Sequence, residues 1–164
     1  MFSLMIIRSI NDADWPAILS IQSTVYPGIT PETEAVLRSK VTLGSETCLA
    51  VSDRQNNNVV GYCLAHPWRR KPACLHTIYE TPSEPQLLYI HDIAIAPGYA
   101  GKRCGRMILQ HLQLWAKQHS FNELSLVSLS QAITYWQRQG FQPVEYTIDA
   151  AQYGEGASYM LKQI

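Results

Sequence analysis

Residues 87–109 read LLYIHDIAIAPGYAGKRCGRMIL, and their order decides the fold. Leu87 to Ala96 is an apolar, β-branched run of the kind that forms a buried strand. Pro97 to Gly105 carries turn residues. From about Lys102 to His119 the apolar positions Ile108, Leu112 and Trp115 share one stripe, so a helix follows. A helix start presents unbonded N–H groups and a partial positive charge, and a glycine-bearing turn ahead of it lets a phosphate approach the backbone. In Gly101-Lys102-Arg103-Cys104-Gly105-Arg106, two arginines and a lysine add charge-assisted contacts to such a site. The spacing is that of neither a Walker loop nor a dinucleotide fingerprint. Alone, the segment reads equally as a tight strand-to-helix turn or as a diphosphate loop.

The flanking sequence fills in the rest of the sheet. Met5 to Ile10 reads as a first strand. Asn11, Asp12 and Asp14 offer caps for a helix through Ile18, Ile21 and Val25, which Tyr26-Pro27-Gly28 stops. A second helix starts near Thr30-Pro31-Glu32, with proline and an acid in its first turn, and runs to about Lys40. Thr47 to Asp53 and Val59 to His66 form a hairpin across the Asn-rich segment 54–58. Pro67 to Gln86 carries Pro67, Pro72, Pro82 and Pro85 and reads as a long loop of the kind that is often functional. Leu124 to Leu129 is a buried strand, Gln131 to Gln139 a short helix stopped by Gly140, and Phe141 to Thr147 and Ser158 to Ile164 are closing strands. The pattern is an α/β (or α+β) domain around a mixed sheet, a single domain over residues 1–164.

Composition narrows the function classes. The chain is 46% hydrophobic and 16% charged, and its 13 basic residues balance 13 acidic ones. No basic excess points to nucleic acid, and no polybasic block points to an anionic membrane. Cys48, Cys63, Cys74 and Cys104 form no C-x-x-C pair, which argues against structural zinc or a redox dithiol and for reduced thiols in a cytoplasmic protein. The apolar run Leu4 to Ile7 is too short for a signal peptide or a membrane span.

The stretch LYIHDIAIAPGYAGKRCGRMIL, followed by LSLVSLSQAITYWQRQGF at 124–141, resembles the two central motifs of the GNAT superfamily of N-acetyltransferases. The resemblance covers Leu87 to Phe141 well and the flanks loosely. It implies a central mixed, mostly antiparallel sheet of about six to seven strands flanked by about four helices. It also implies acetyl-CoA as co-substrate and no metal. The sequence departs from the family pattern at two positions: Ala100 stands where Arg or Gln is usual, and Arg103 stands at the middle glycine. An arginine there suits the loop if its φ is not positive.

By the same resemblance, the backbone of Ile93, Ala94 and Ile95 would bind the pantetheine arm, with the Ile93 N–H facing the thioester carbonyl. Gly101, Lys102, Arg103, Cys104, Gly105 and Arg106 would hold the pyrophosphate. Strand alternation puts Tyr89, His91, Ile93 and Ile95 on one face and Leu88, Ile90, Asp92 and Ala94 on the other. His91 is then the base candidate, since an imidazole accepts a proton near neutral pH. IHDIAI also resembles the matching strand of arylalkylamine N-acetyltransferases, where histidines have that role. Asp92 is read as an orienting group on the opposite face. The family's usual thiolate acid is a Tyr four residues before the Gly of Gly-Phe. That position is Trp136 here, a residue read as packing on the pantetheine or the core. Tyr135 lies about 100° round the helix, so protonation by Tyr135, protonation by water and weak activity all stay open.

On the acceptor side, Tyr26, Trp68 and Tyr89 are the candidates for contacting substrate, with His76 and Tyr79 in the same loop region. Arg69, Arg70 and Lys71, if they reach the pocket, would favour a substrate carboxylate. The expected activity is acetyl transfer to the primary amine of a small molecule. A peptide N-acetyltransferase and a non-catalytic acyl-CoA-binding module are the alternatives, and a homodimer is left open.

Overall fold

The structure, a computed structural model, describes residues 4–164. Its elements in chain order are β1 (Met5–Ser9), α1 (Trp15–Val25), α2 (Glu34–Leu43), β2 (Leu49–Asp53), β3 (Val59–Trp68), β4 (Leu87–Ile95), α3 (Cys104–Gln118), β5 (Glu123–Ser128), α4 (Ile133–Arg138), β6 (Gln142–Pro143), α5 (Ala150–Tyr153) and β7 (Ser158–Gln163). The strands form one seven-stranded sheet in the order β1-β2-β3-β4-β5-β7-β6. β4 and β5 are parallel and every other pair is antiparallel. No helix among the described residues is long and apolar enough to cross a membrane.

Each face of the sheet carries its own apolar layer. Ile108, Leu109, Leu112 and Ala116 of α3 pack with Trp136, Phe141, Leu88, Ile90, Leu124 and Leu126. On the other face Trp15, Ile18 and Ile21 of α1 and Leu37 of α2 pack on Tyr62, Leu64 and Ala94. Beside them Trp68, Leu87, Tyr89, Tyr159 and Leu161 form a third cluster under the 69–86 loop. Full burial of one such side chain contributes about 1.5–3 kcal/mol, so these stripes fix which way each helix faces.

Several boundaries differ from the sequence expectation. α2 begins at Glu34 because Thr33 caps it, its side chain accepting from the Val36 N–H, so Glu32 lies outside the helix. Pro67 and Trp68 belong to β3, paired with Leu88 and Leu87, and the loop shrinks to 69–86. Proline is tolerated there because β2 pairs only as far as Cys63, so the missing N–H has no second neighbour to serve. Of the expected strand 141–147 only Gln142–Pro143 forms, and α5 is an added turn capped by Asp149.

Two backbone features shape the site. The β3–β4 register jumps between Leu64↔Asp92 and Ala65↔Ile90, leaving His91 as an extra residue in β4. Alternation therefore reverses at His91, and the expected grouping of His91 with Ile93 fails. Leu88 and Ile90, then Ile93 and Ile95, face α3, whereas His91 and Asp92 both face the α1–α2 side. The second feature is at the start of α3. Gly101 has φ 78° and Arg103 has φ 63°, so the arginine adopts the left-handed conformation that a glycine would adopt freely.

That conformation costs a non-glycine residue about 1–2 kcal/mol, while a glycine there would lose about 0.5–1 kcal/mol more chain entropy on folding. The first term wins. Arg103→Gly is expected to raise stability by about 0.5–1 kcal/mol, read as a higher midpoint in urea unfolding. A lower midpoint would mean that the arginine side chain contributes more than its backbone costs.

Candidate functional site

β4 and β5 share a ladder only from Leu88–Ile90 to Leu124–Leu126. Past it β4 stays with β3 and β5 stays with β7, and a cleft of about 350 Å³ opens between them. The Ala96 N–H donates to Val60 C=O at 2.8 Å, which turns the peptide edge of Ala96 toward β3. Ile93 faces the other way, its C=O accepting from Tyr26 Oη at 2.6 Å. Strand alternation thus presents the peptide edges of Ile93 and Ile95 to the cleft. Ala94, the third residue expected to bind the arm, pairs with Tyr62 and is buried against α1, so its peptide edge faces β3.

At one end of the cleft is the start of α3. The helix's first backbone bond here runs from the Met107 N–H to Arg103 C=O, and the N–H groups before it have no intrahelical acceptor. Gly101, Lys102, Arg103 and Arg106 are exposed around this end, Cys104 is buried, and Gly105 lines the cleft. A Cβ on Gly105 would lie 2.7 Å from Tyr135 Oη, so a larger residue there would push that hydroxyl aside. Tyr135 is 43% exposed and its hydroxyl therefore rests over the first turn of α3. Trp136 also lines the cleft but is mostly buried, edge-on to Phe141.

The other end holds a polar cluster between α1, α2 and β4. His91 donates Nε2–H to Glu32 Oε1 at 2.7 Å, and its side chain is 0% exposed. Glu32 also accepts the His76 N–H at 3.0 Å, and its backbone is held in both directions by Gln22. Burial alone would raise the Glu32 carboxyl, but the bonds from His91 and His76 and the charges of His91 and Lys40 together hold it below the ordinary value. His91 Nδ1 stands 3.5 Å from Tyr79 Oη, which is 3.0 Å from His66 Nε2. His66 gives its Nδ1–H to Pro67 C=O, and burial pushes its pKa down to about 3, so it is neutral and accepts from Tyr79. Lys40 is fully buried behind this cluster. Its Nζ donates to Thr77 C=O at 2.6 Å and sits 3.7 Å from the Tyr79 ring centroid, and burial brings its pKa down to about 8.

Asp92 and Glu32 both line the cleft, and Asp92 is the more exposed of the two. It is partly exposed and accepts from Tyr62 Oη at 2.5 Å. Burial lifts its pKa to about 6, with the bond from Tyr62 and the nearness of His91 limiting the rise.

The cleft thus brings together Tyr26, His91, Ile93, Ile95, Gly105, Tyr135 and Trp136. Trp68 and Tyr89 are not part of it; they pack with Tyr159 and Leu161, because Pro67 and Trp68 continue β3. The basic trio points away as well. Arg70 pairs with Glu123, Arg69 reaches Ser83, and Lys71 lies by the Trp68 ring. Glu32 has no site role in the sequence expectation, and Tyr79 figures there only as an aromatic of the acceptor-side loop, not as the neighbour of His91 and His66. The only hint of Glu32 was an acid beside Pro31, and its partner His91 is 59 residues away.

No curated protein sequence matches the chain significantly. Solved structures do match the fold. Ard1 from Thermoplasma volcanium superposes with a TM-score of 0.76 at 14% identity, over 98% of each chain. Arabidopsis thaliana Naa50, in complex with the bisubstrate analogue CoA-Ac-MVNAL, gives 0.74 at 14% identity over 98% of this chain and 99% of that one. N-acetylglutamate synthase from Neisseria gonorrhoeae, complexed with coenzyme A and N-acetyl-glutamate, gives 0.73 at 14% identity over 99% of this chain and 36% of that one. The model of the acetyltransferase (GNAT) family matches residues 15–141, which span the parted strands, the α3 start and the acid cluster, and the chain belongs to that family.

Proposed function

We propose that this chain transfers an acetyl group from acetyl-CoA to the primary amine of a small molecule, with Asp92 taking the amine's proton. The observation that carries the reading is the parting of β4 from β5 with Asp92 on the open side. The residues fit the donor: Ile93 and Ile95 offer peptide edges to the amides of a pantetheine arm. The first turn of α3, with Lys102, Arg103 and Arg106 around it, suits a diphosphate. When bound, acetyl-CoA supplies an acetyl thioester that an uncharged amine can attack. The Ile93 N–H serves as donor to the oxygen on which negative charge develops.

Sequence alone favours His91 as the base. Its enclosure between Glu32 and Tyr79 supports a positioning role instead: it holds Glu32 in place and keeps this end of the cleft rigid. Asp92 has the access and the basicity. With a pKa near 6 it is ionised at neutral pH, yet a better proton acceptor than an exposed aspartate. For the departing sulfur, Tyr135 is poorly sited, because its hydroxyl lies over Gly105. We assign Tyr135 to a phosphate of the donor and the sulfur's proton to water.

The 69–86 loop favours a small acceptor over a peptide. It contributes Leu75 to the cleft wall and is tied down by the Leu75 N–H on Gln152 at 3.0 Å and by Tyr153 Oη on Ala73 C=O at 2.6 Å. Leu75 and Tyr153 line the cleft.

Two outcomes are expected. Asp92 acts when deprotonated, so kcat should rise with pH through about 6. Asp92→Asn should abolish that limb and lower kcat by ~10²-fold or more. His91→Gln should keep the limb and move it upward, since His91 lowers the Asp92 pKa. A limb that vanishes in His91→Gln and survives in Asp92→Asn would return the base role to His91. Separately, Tyr135→Phe should weaken coenzyme A binding by ~10-fold, as for a hydrogen bond to a charged group, and leave kcat near wild type. Unchanged affinity with a large fall in kcat would make Tyr135 the acid for the sulfur.

A further inference from the structure

Tyr26 ends α1 in a conformation that is not helical, with φ −119° and ψ 60°. From there its side chain crosses to β4, 67 residues along the chain. A carbonyl can only accept, so the hydroxyl donates its hydrogen to Ile93 C=O, at 2.6 Å. Tyr26, Asp92 and Ile93 all line the cleft. The titratable groups around Asp92 come from every element packed on it: Tyr62 and Cys63 from β3, His91 from β4, Tyr26 from the end of α1 and Glu32 from the segment before α2. Burial raises the Asp92 pKa, and the bond from Tyr62, the charge of His91 and the hydroxyl of Tyr26 work against that rise.

The two tyrosines differ in what else they can reach. Tyr62 is fully buried and donates to Asp92 Oδ2 at 2.5 Å, which suits an ionised carboxylate. Tyr26 has a second acceptor in Ile93 C=O. Resting on the reading of Asp92 as the base, we propose that Tyr26 is a positioning residue that serves Asp92 in both of its protonation states. While Asp92 is ionised, the Tyr26 hydrogen is shared between the carboxylate and Ile93 C=O. When Asp92 takes the amine's proton, an N–H bond breaks and a carboxyl O–H forms. That O–H donates to Tyr26 Oη, and Tyr26 keeps its own hydrogen on Ile93 C=O. No donor is left without an acceptor at either stage, which a hydroxyl achieves because it both donates and accepts. The Ile93 N–H lies one planar peptide unit from the carbonyl that Tyr26 holds, so the same contact limits how far that N–H can turn.

The test follows the Asp92 carboxyl and the Ile93 carbonyl of the full chain by carbon-13 NMR as pH is varied, with Asp92→Asn to identify the Asp92 signal. In the wild type the Ile93 carbonyl should respond with the same midpoint as Asp92, because Tyr26 moves its hydrogen between them. Tyr26→Phe should raise the Asp92 midpoint and shrink the Ile93 response several-fold. Tyr62→Phe should raise the midpoint too, yet leave the Ile93 response in place. In the acetylation of benzylamine by acetyl-CoA, Tyr26→Phe should move the rise of kcat to higher pH. It should also lower the plateau by ~10-fold, with the KM for acetyl-CoA near wild type. A Tyr26→Phe protein with a lower urea midpoint and an unmoved Asp92 titration would make Tyr26 a structural anchor and overturn the proposal. An Ile93 response as large as in the wild type would overturn it as well. Both NMR effects without any acetylation by the wild type would uphold the role of Tyr26 and count against the transferase reading alone.

Discussion

Between Ile90 and Ile95, β4 has a hydrogen-bonded neighbour on one side only. Peptide groups inside a sheet must find partners, and a strand that loses its neighbour mid-course must turn those groups to water or to a ligand. Here the loss is confined by tight anchoring on either side. β4 keeps its full ladder with β3, and β5 keeps six pairs with β7, so the gap cannot close by sliding one strand across. Tyr26 reaches from the end of α1 to take the Ile93 carbonyl and leaves the adjoining N–H edge facing the cleft. The other features of the site depend on this gap: the helix start at its one end, the acid cluster at the other, and the loop that lends Leu75 to its wall.

The bulge at His91 is what makes the acid cluster. In a regular strand His91 and Asp92 would point to opposite faces, one of them into the apolar layer under α3. The extra residue brings both to the α1–α2 side, where Tyr62, Glu32 and Tyr79 supply polar partners. Burying a hydrogen-bonded polar pair such as Glu32–His91 gains little stability over an apolar pair, because each group gives up its water. What it secures is position. Glu32 sits in the segment between α1 and α2, outside either helix, and the bonds from His91, His76 and Gln22 pin that segment against β4. Asp92 is left as the carboxylate with room beside it.

The strand-turn-helix of residues 87–118 was legible in the sequence because its signals are local: an apolar run, glycines, and a helical stripe. The sheet's strand count and the α3 face followed from the same kind of signal. What was not legible depended on pairing between distant residues. The bulge arises from the register of Ile90 to Asp92 against Leu64 and Ala65, and no pattern within either strand announces it. Trp68 and Tyr89 looked like pocket aromatics because aromatic side chains serve cores and pockets equally well. Only the extension of β3 through Pro67, on a side where β2 has already ended, assigns them to the core. Glu32 was read into a helix because an acid after proline suits a first turn, whereas the Thr33 cap excludes it.

Ala100 and Arg103, the two departures from the family pattern, bear differently on the phosphate end. Ala100 is extended, with φ −61° and ψ 143°, and it brings the chain round without a special conformation; what it lacks is a polar side chain. Arg103 takes the left-handed turn at a cost in backbone strain, which a glycine in its place would not carry. A strained arginine that only replaced a glycine would be a simple loss. Its guanidinium, however, is exposed at the start of a helix whose first N–H groups lack acceptors, with Lys102 and Arg106 nearby. Charge missing at position 100 is thus supplied at position 103, on the same turn, at the expense of strain. Gly105 is retained where a side chain would collide with Tyr135. The loop therefore keeps glycine at Gly105, where a Cβ would press on the Tyr135 hydroxyl, and gives it up at Arg103, where the penalty is conformational.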